Sequence, residues 1–270
     1  MEVFSYLLII CSIAGTLPKL SFASPDSRIL YGTPVDTLKR FPHQVTITRE
    51  VYGRTQYCGG SIISNEWIVT ALNCVSNANF TVQFLLNHLQ GTRKSFGISL
   101  DSSAVVPYPT GYDNIALIKL PVTLKFSQLL APIRYNKIDE DYVSNSLVVM
   151  PGFSLNETSV LTYGMFKLLS PRQCLATYGE KYDKYLQICT VGWGNSKQMP
   201  CEGNEGGGLV SGWPQNPSLI GIFTEPTFCK EVIPAVYLKL SAYESWIDQT
   251  ISNVFGQSET GSGSDSEPEP

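Results

Sequence analysis

Six cysteines spread over residues 58–229 constrain the fold of this chain more than any other feature. They follow a hydrophobic N-terminal segment that holds the seventh cysteine, Cys11. An even number of cysteines behind a secretory leader indicates disulfides, but six thiols allow fifteen pairings and spacing alone does not choose among them. The spacings do not resemble zinc sites, so no metal or other cofactor is expected. The six are Cys58, Cys74, Cys174, Cys189, Cys201 and Cys229.

The N-terminus has the pattern of a secretory signal. Residues 4–17 are mostly apolar, and Ser21-Phe22-Ala23 places small residues where a signal is normally cut. We therefore predict a signal peptide over residues 1–23 and a short propeptide-like segment over residues 24–28, with a buried N-terminal helix as the alternative. No other run of roughly eighteen apolar residues occurs, so a secreted, soluble product without a membrane span is expected.

Acidic side chains are concentrated at the C-terminus. The net charge is −4, and four acids without a basic neighbour lie within residues 256–270, so the rest of the chain is formally neutral (−4 + 4 = 0). Such a balance gives no indication of nucleic acid or an anionic membrane as a partner. The segment is rich in Ser, Gly, Glu and Pro and is predicted to be a disordered tail. Its acids are Glu259, Asp265, Glu267 and Glu269.

Short apolar runs separated by Gly, Pro and Asn clusters predict a closed all-β architecture. Examples are residues 45–48, 67–71, 147–150 and 219–223. A helix is predicted only over residues 243–254, where large apolar side chains recur at near-helical spacing.

Three spaced blocks resemble the trypsin/chymotrypsin-like serine protease family. The first runs from Cys58-Gly59-Gly60-Ser61 to Ala71-Leu72-Asn73-Cys74, the second is Asn114-Ile115-Ala116-Leu117, and the third is Cys201-Glu202-Gly203-Asn204-Glu205-Gly206-Gly207. Several blocks in the right order are specific where one would not be. The resemblance implies two packed six-stranded antiparallel β-barrels with a C-terminal helix over residues 29–255. It also implies the pairs Cys58–Cys74, Cys174–Cys189 and Cys201–Cys229, a minimal set similar to that of many invertebrate members.

All three catalytic positions implied by this resemblance are substituted. Asn73 stands where the family has histidine, Asn114 where it has aspartate, and Glu205 where it has the nucleophilic serine. A serine hydroxyl needs a neighbouring base, and an amide does not accept a proton near neutral pH. We therefore predict no peptidase activity. Asp113 could supply a carboxylate only through a one-residue slip, which strand alternation opposes because it reverses the side-chain face.

The activation site is retained in sequence, but its internal partner is changed. Arg28-Ile29 resembles the family's cleavage site, while Asn204 replaces the aspartate that pairs with the new ammonium group. An unpaired buried charge is expensive, so cleavage is not expected to order this chain. Glu205 is the alternative carboxylate for that role.

The substrate pocket implied by the resemblance is also altered. Met199 falls at the position that sets primary specificity, and Ala235 replaces a glycine that keeps the pocket open. Glu225 and Pro226 fall in the strand that pairs with extended substrate, where proline lacks a backbone donor. Docking and chemistry are therefore both expected to have changed.

Other chemical roles for these residues are less favoured. Glu205 is expected simply to fill the space or to place its own carboxylate in the oxyanion hole, and its pairing with Glu202 or Glu225 as hydrolytic acids is the alternative. His43 and His88 are the only histidines. His43 is expected in a packing or surface role and His88 on the surface, rather than as a replacement base.

Two sequons, at Asn79 and Asn156, predict surface glycans on a secreted chain. The function predicted is that of a secreted non-catalytic serine protease homologue. It would bind or regulate extracellular proteins, such as proteases or their substrates, in an immune or reproductive fluid. The alternatives are a residual or unconventional peptidase and a storage or structural component of a secretion.

Overall fold

The fold is built around two mainly antiparallel β-sheets. A computed structural model describes residues 29–87, 94–135, 144–153, 161–224 and 233–256. The first sheet has seven strands in the order β7-β6-β3-β4-β5-β9-β8. These strands are β3 (Gln44–Val51), β4 (Arg54–Ile62), β5 (Trp67–Thr70), β6 (Phe80–Asn87), β7 (Lys94–Leu100), β8 (Val105–Pro107) and β9 (Ala116–Lys119).

The second sheet has eight strands. The path β16-β15-β11-β12-β13-β17 closes on itself through a β16–β17 pairing, which makes a six-stranded barrel with β10 and β2 attached. The strands are β2 (Thr33–Pro34), β10 (Arg134–Tyr135), β11 (Leu147–Phe153), β12 (Leu161–Leu168), β13 (Gln187–Gly192), β15 (Gly208–Ser211), β16 (Ser218–Phe223) and β17 (Ala235–Lys239). A separate pair joins β1 (Ile29–Leu30) to β14 (Met199–Pro200).

The described residues contain two α-helices, α1 (Pro171–Tyr178) and α2 (Glu244–Gly256). The predicted all-β fold with a C-terminal helix is confirmed, and α2 runs two residues past the predicted end at 254, into the segment predicted as tail. Short 3₁₀ turns span Leu38–Arg40, Leu72–Cys74, Ser102–Ala104, Gly179–Lys181, Trp193–Asn195 and Leu240–Ala242. Among the described residues, no helix is long and apolar enough to cross a membrane.

Helix α1 was not predicted, because its sequence is polar and Cys174 is its buried residue. Local signals nevertheless define both of its ends. Pro171 occupies the first turn, Gln173 accepts a hydrogen bond from the Ser170 backbone N–H at 3.0 Å, and Gly179 follows the last turn with φ 57°. The disulfide Cys174–Cys189 fixes the helix to β13.

Strand alternation divides the core into three layers. Ile68 and Ile118 point into the seven-stranded sheet's own core, whereas their neighbours Val69 and Leu117 point the other way. That second group packs with Val149 and with side chains of α2 between the two sheets. Because successive strand residues face opposite sides, one apolar run supplies side chains both to the core of the first sheet and to the interface between the two sheets. The candidate functional site lies at the edge of that interface.

Candidate functional site

The pairing of β5 with β9 brings the first two substituted positions together. The strands are antiparallel, with Thr70 opposite Ala116, so the residues just after β5 lie beside those just before β9. Asn73 sits in the turn that follows β5, and the Cys58–Cys74 disulfide ties that turn to β4. Asn114 therefore arrives next to Asn73, as the sequence blocks implied.

Asn114 joins two segments through both ends of its amide. Its Oδ1 accepts a hydrogen bond from the Asn73 backbone N–H at 2.8 Å, and its Nδ2 donates to the carbonyl oxygen of Thr224 at 3.2 Å. Thr224 follows β16 and is buried, so the contact bridges the two sheets. The role of the Thr224 carbonyl was missed at the sequence level, since a main-chain acceptor leaves no trace in residue type.

Asp113 lies on the opposite side of the chain from this contact. Its Oδ1 accepts from the Tyr243 hydroxyl at 2.9 Å, and its Oδ2 accepts from the Thr110 hydroxyl at 2.7 Å. Burial, then the bond to Asp113, raises the pKa of Tyr243 well above its ordinary value. Asp113, the carboxylate that a one-residue slip would bring to the site, is thus engaged in a hydrogen bond with Tyr243, directly before the C-terminal helix.

The loop that carries Glu205 is fixed to both sheets by its own backbone. The Glu205 carbonyl accepts from Gly59 N on β4 at 2.7 Å, and Gly206 N donates to the Phe223 carbonyl on β16 at 2.6 Å. Gly206 has φ 78°, and a Cβ there would collide with Thr70 and Gly59, so no larger residue fits. Glu205 itself is 4% exposed.

The Glu205 carboxylate folds back onto the loop. Its Oε2 accepts the backbone N–H of Gly203 at 2.6 Å. In the serine protease template the oxyanion hole is built from the backbone N–H groups of the nucleophile and of the residue two positions before it. Gly203 is two positions before Glu205, so the carboxylate occupies the donor that would otherwise receive a substrate oxyanion. This is one of the arrangements considered from the sequence.

The neighbouring Asn204 lies close to the segment that follows the predicted cleavage site. Asn204 is 2% exposed, and its Oδ1 accepts from the Cys201 backbone N–H at 3.1 Å. A Cβ on Gly152 would lie 2.6 Å from Nδ2 of Asn204 and 3.1 Å from Cδ1 of Ile29, so the two side chains flank the same glycine. Ile29 is completely buried and packs with Val148 and other barrel residues. Arg28 lies outside the described residues.

The described positions of the predicted specificity pocket are buried. Met199 on β14 is 4% exposed, and Ala235 at the start of β17 is 2% exposed. The space beside Gly59, Gly152 and Asn204 is too narrow to admit a water molecule. Glu225 and Pro226 lie outside the described residues.

Histidine does not approach this site in the described structure. His43 is 3% exposed and packs edge-on against Phe41, with ring centroids 6.3 Å apart, which confirms the packing role. Burial lowers the pKa of His43 to about 3. His88 lies outside the described residues. Glu202 is exposed on the surface beside the buried Glu205.

The disulfide predictions are confirmed as far as the described chain allows. Cys58–Cys74 and Cys174–Cys189 are both formed, and Cys201 is disulfide-bonded. Its predicted partner Cys229 lies outside the described residues. Asn79 is exposed, as its sequon requires, and Asn156 lies outside the description. Within the described ranges, no three His, Cys, Asp or Glu residues cluster closely enough to hold a metal.

The fold and this site define a serine protease architecture. The trypsin family model matches residues 30–247, and the chain belongs to that family.

The chain is similar to insect proteins named trypsins. It is 28% identical to the trypsin of Sarcophaga bullata over 92% of this chain and 97% of the relative, and 27% identical to trypsin alpha of Drosophila melanogaster over 91% and 96%. The solved structure of HL collagenase shares the fold, with a TM-score of 0.66 at 24% identity over 82% of this chain and 98% of that one.

Proposed function

We propose that this trypsin-family chain is a secreted, non-catalytic protein that acts by binding other proteins in an extracellular network, such as an immune or reproductive fluid. The observation that carries the proposal is the hydrogen bond from Gly203 N–H to the carboxylate of Glu205. A catalytic site keeps such a donor open for the charge that develops on the substrate.

The described residues of the site offer no side chain suited to act as the general base that a serine protease mechanism needs. The Asn73 side chain is a neutral amide, and its backbone is held by Asn114, another amide. Neither amide takes up a proton near neutral pH. The nearest sequence alternative, Asp113, is engaged by Tyr243 and Thr110.

Glu205 is poorly placed as a replacement nucleophile. Its carboxylate is buried, and it accepts a charge-assisted hydrogen bond from the donor that would have to stabilise the intermediate. Attack on a substrate would require this bond to break first.

The described part of the chain nevertheless keeps the barrel and disulfides of the fold, which favours binding as the retained role. The closed six-stranded barrel, both described disulfides and the rigid loop at Glu205 hold the surrounding surface in fixed positions. Preorganised loops bind with a smaller entropic penalty. Extracellular proteins, including proteases or their substrates, are the partners proposed for that surface.

Activity assays on the purified glycoprotein test the catalytic half of this proposal. We expect no hydrolysis of a broad fluorogenic peptide library above the Glu205→Ala variant, and no labelling by a fluorophosphonate probe that labels trypsin in parallel. Hydrolysis by the natural chain that Glu205→Ala abolishes would establish an unconventional peptidase instead.

A competition assay tests the binding half. The chain should change, in a saturable manner, the rate at which an authentic protease from the same fluid cleaves its natural substrate. Peptide mass spectrometry across tissues and fluids identifies which fluid to use. A chain that shows no saturable partner in its own fluid would be a storage or structural component of the secretion.

A further inference from the structure

A second cavity lies away from the substituted catalytic positions. Its volume is about 630 Å³, within the range of pockets that hold ligands of a few residues. We call it the basic pocket, and its charged and aromatic lining consists of Lys39, Arg40, His43, Arg134 and Trp213. None of its lining residues is Asn73, Asn114 or Glu205.

The basic pocket has more positively charged side chains than acidic partners among the described residues. Arg40 forms an ion pair with Asp36 at 2.6 Å and lies 5.6 Å from the ring centroid of Trp213. Among the described residues, no carboxylate lies within ion-pair distance of Lys39 or Arg134; the Arg134 guanidinium donates to the carbonyl of Asn216 at 3.2 Å. None of the lining residues that the structure describes is acidic.

The remaining wall is apolar and rich in rings. Trp213 and the prolines Pro42, Pro132, Pro214 and Pro217 line it. Grooves of aromatic and proline side chains bind segments that contain proline, because such segments are already extended and lose little entropy on binding. The ligand chemistry that fits the whole pocket is therefore an acidic, proline-containing peptide.

The chain contains such a segment at its own C-terminus. We propose that Glu267-Pro268-Glu269-Pro270, the last part of the acidic tail, docks in the basic pocket of the same molecule. Residues 257–270 carry four acids and no basic residue. Alternation of Glu and Pro presents carboxylates to Lys39 and Arg134 while the pyrrolidine rings pack on Trp213.

The tail starts close enough to reach the pocket. Asp248 of α2 accepts a hydrogen bond from the Tyr135 hydroxyl at 2.8 Å, and Tyr135 is adjacent to the pocket residue Arg134. From Asp248 to the end of α2 the helix rises about 12 Å. The ten residues 257–266, which would link the helix to the docked segment, span up to about 33 Å when extended, more than twice that rise.

Zero-length carbodiimide coupling of the full chain tests the proposal, because it joins an amine only to a carboxylate in direct contact. We expect peptide mass spectrometry to find Lys39 joined to the tail acids, in monomers, at least several-fold more often than the exposed Lys181. Arg134→Glu should lower that yield several-fold, whereas Arg54→Glu, a charge reversal at an exposed site outside the pocket, should not.

A tail variant separates docking from any folding defect of Arg134→Glu. Pro268→Gly with Pro270→Gly keeps every acid and lies outside the folded domain, and it should also lower the Lys39 yield. Equal coupling of Lys39 and Lys181 would overturn the proposal. Coupling that occurs only in covalent dimers would also overturn it, because the tail would then belong to a second copy.

Discussion

Asn73 and Asn114 are joined by a single hydrogen bond, from the backbone N–H of Asn73 to Oδ1 of Asn114 at 2.8 Å. The other end of the Asn114 amide donates to the carbonyl of Thr224 at 3.2 Å. An amide can do both because it carries an acceptor and a donor, whereas an ionised carboxylate only accepts.

Asn114→Asp should therefore destabilise the protein, although it restores the residue of active relatives. The carboxylate keeps the bond to Asn73 but faces the Thr224 carbonyl without a proton. We expect the free energy of unfolding near neutral pH to fall by about 1–3 kcal/mol, measured by denaturant titration. Asn114→Ala loses both bonds and serves as the reference. An Asp variant as stable as the natural chain would show that the Thr224 bond contributes nothing.

Glu205→Ala should lower stability more than the same change at its exposed neighbour. Removal of the carboxylate deletes the bond to Gly203 N–H, and hydrogen bonds to charged groups contribute about 1.5–3 kcal/mol. Glu202→Ala should stay within about 0.5 kcal/mol, as is usual at the surface. Denaturation of both variants in parallel measures the difference. Equal effects would mean that the carboxylate contact at Gly203 is not stabilising.

His43 should make the protein sensitive to acid. Burial lowers the pKa of His43 to about 3 from an ordinary value of 6.5. Below about pH 6.5 the unfolded chain takes up a proton that the folded chain does not, so this residue should reduce stability by up to about 1.4 kcal/mol per pH unit down to about pH 3.

His43→Leu should flatten that part of the stability profile, measured by thermal unfolding between pH 4 and pH 7. His88→Leu is the matched control, because the sequence predicts a surface position for His88. An unchanged slope in His43→Leu would show that His43 is protonated in the folded chain.

Cleavage after Arg28 should not stabilise the natural protein. The new ammonium group at Ile29 would be buried beside Asn204, a neutral amide that already accepts from Cys201. The intact Asn204→Asp variant should be less stable than the intact natural chain. After cleavage, the variant should be more stable than the cleaved natural chain, because the new ammonium group then has a carboxylate partner. Thermal unfolding of intact and cleaved forms, with the new terminus verified by sequencing, decides this. A rise in the Tm of the natural chain on cleavage would contradict the prediction.

Asn79 should carry a glycan in the secreted protein. The residue is exposed, and its sequon ends in Thr81 at the start of a surface strand pair, where the hydroxyl lies 3.2 Å from that of Ser99. Asn79→Gln should remove one glycan unit, read as a drop in intact mass that glycosidase treatment of the natural chain reproduces. An unchanged mass would show the sequon to be bare.

The sequence predicts the frame of this molecule well because cysteine blocks and strand alternation are encoded locally. Val69 and Ile68 differ in the layer they join simply because they are neighbours on β5. The side-chain substitutions at Asn73, Asn114 and Glu205 are visible in the same way. The rejection of Asp113 also followed from alternation, and its bond to Tyr243 agrees.

The contacts that fix the site were harder to predict, since most of their partners are main-chain groups. No residue type signals that the Thr224 carbonyl accepts a hydrogen bond from Asn114, or that the Gly59 N–H donates one to the Glu205 carbonyl. Helix α1 was missed for a related reason: Cys174 anchors it through a disulfide to a strand, so its sequence carries no apolar stripe. The basic pocket combines segments around residues 40, 133 and 215, which only tertiary structure brings together.

The loop that carries Glu205 is fastened by amide and carbonyl groups to Gly59 on one side and to Phe223 on the other. Those fastenings belong to the peptide unit, which is the same for every residue. These two hydrogen bonds between the loop and the two sheets therefore do not depend on which side chain stands at position 205. Replacement of the side chain at position 205 can therefore change the chemistry at the tip of the loop while both backbone contacts remain.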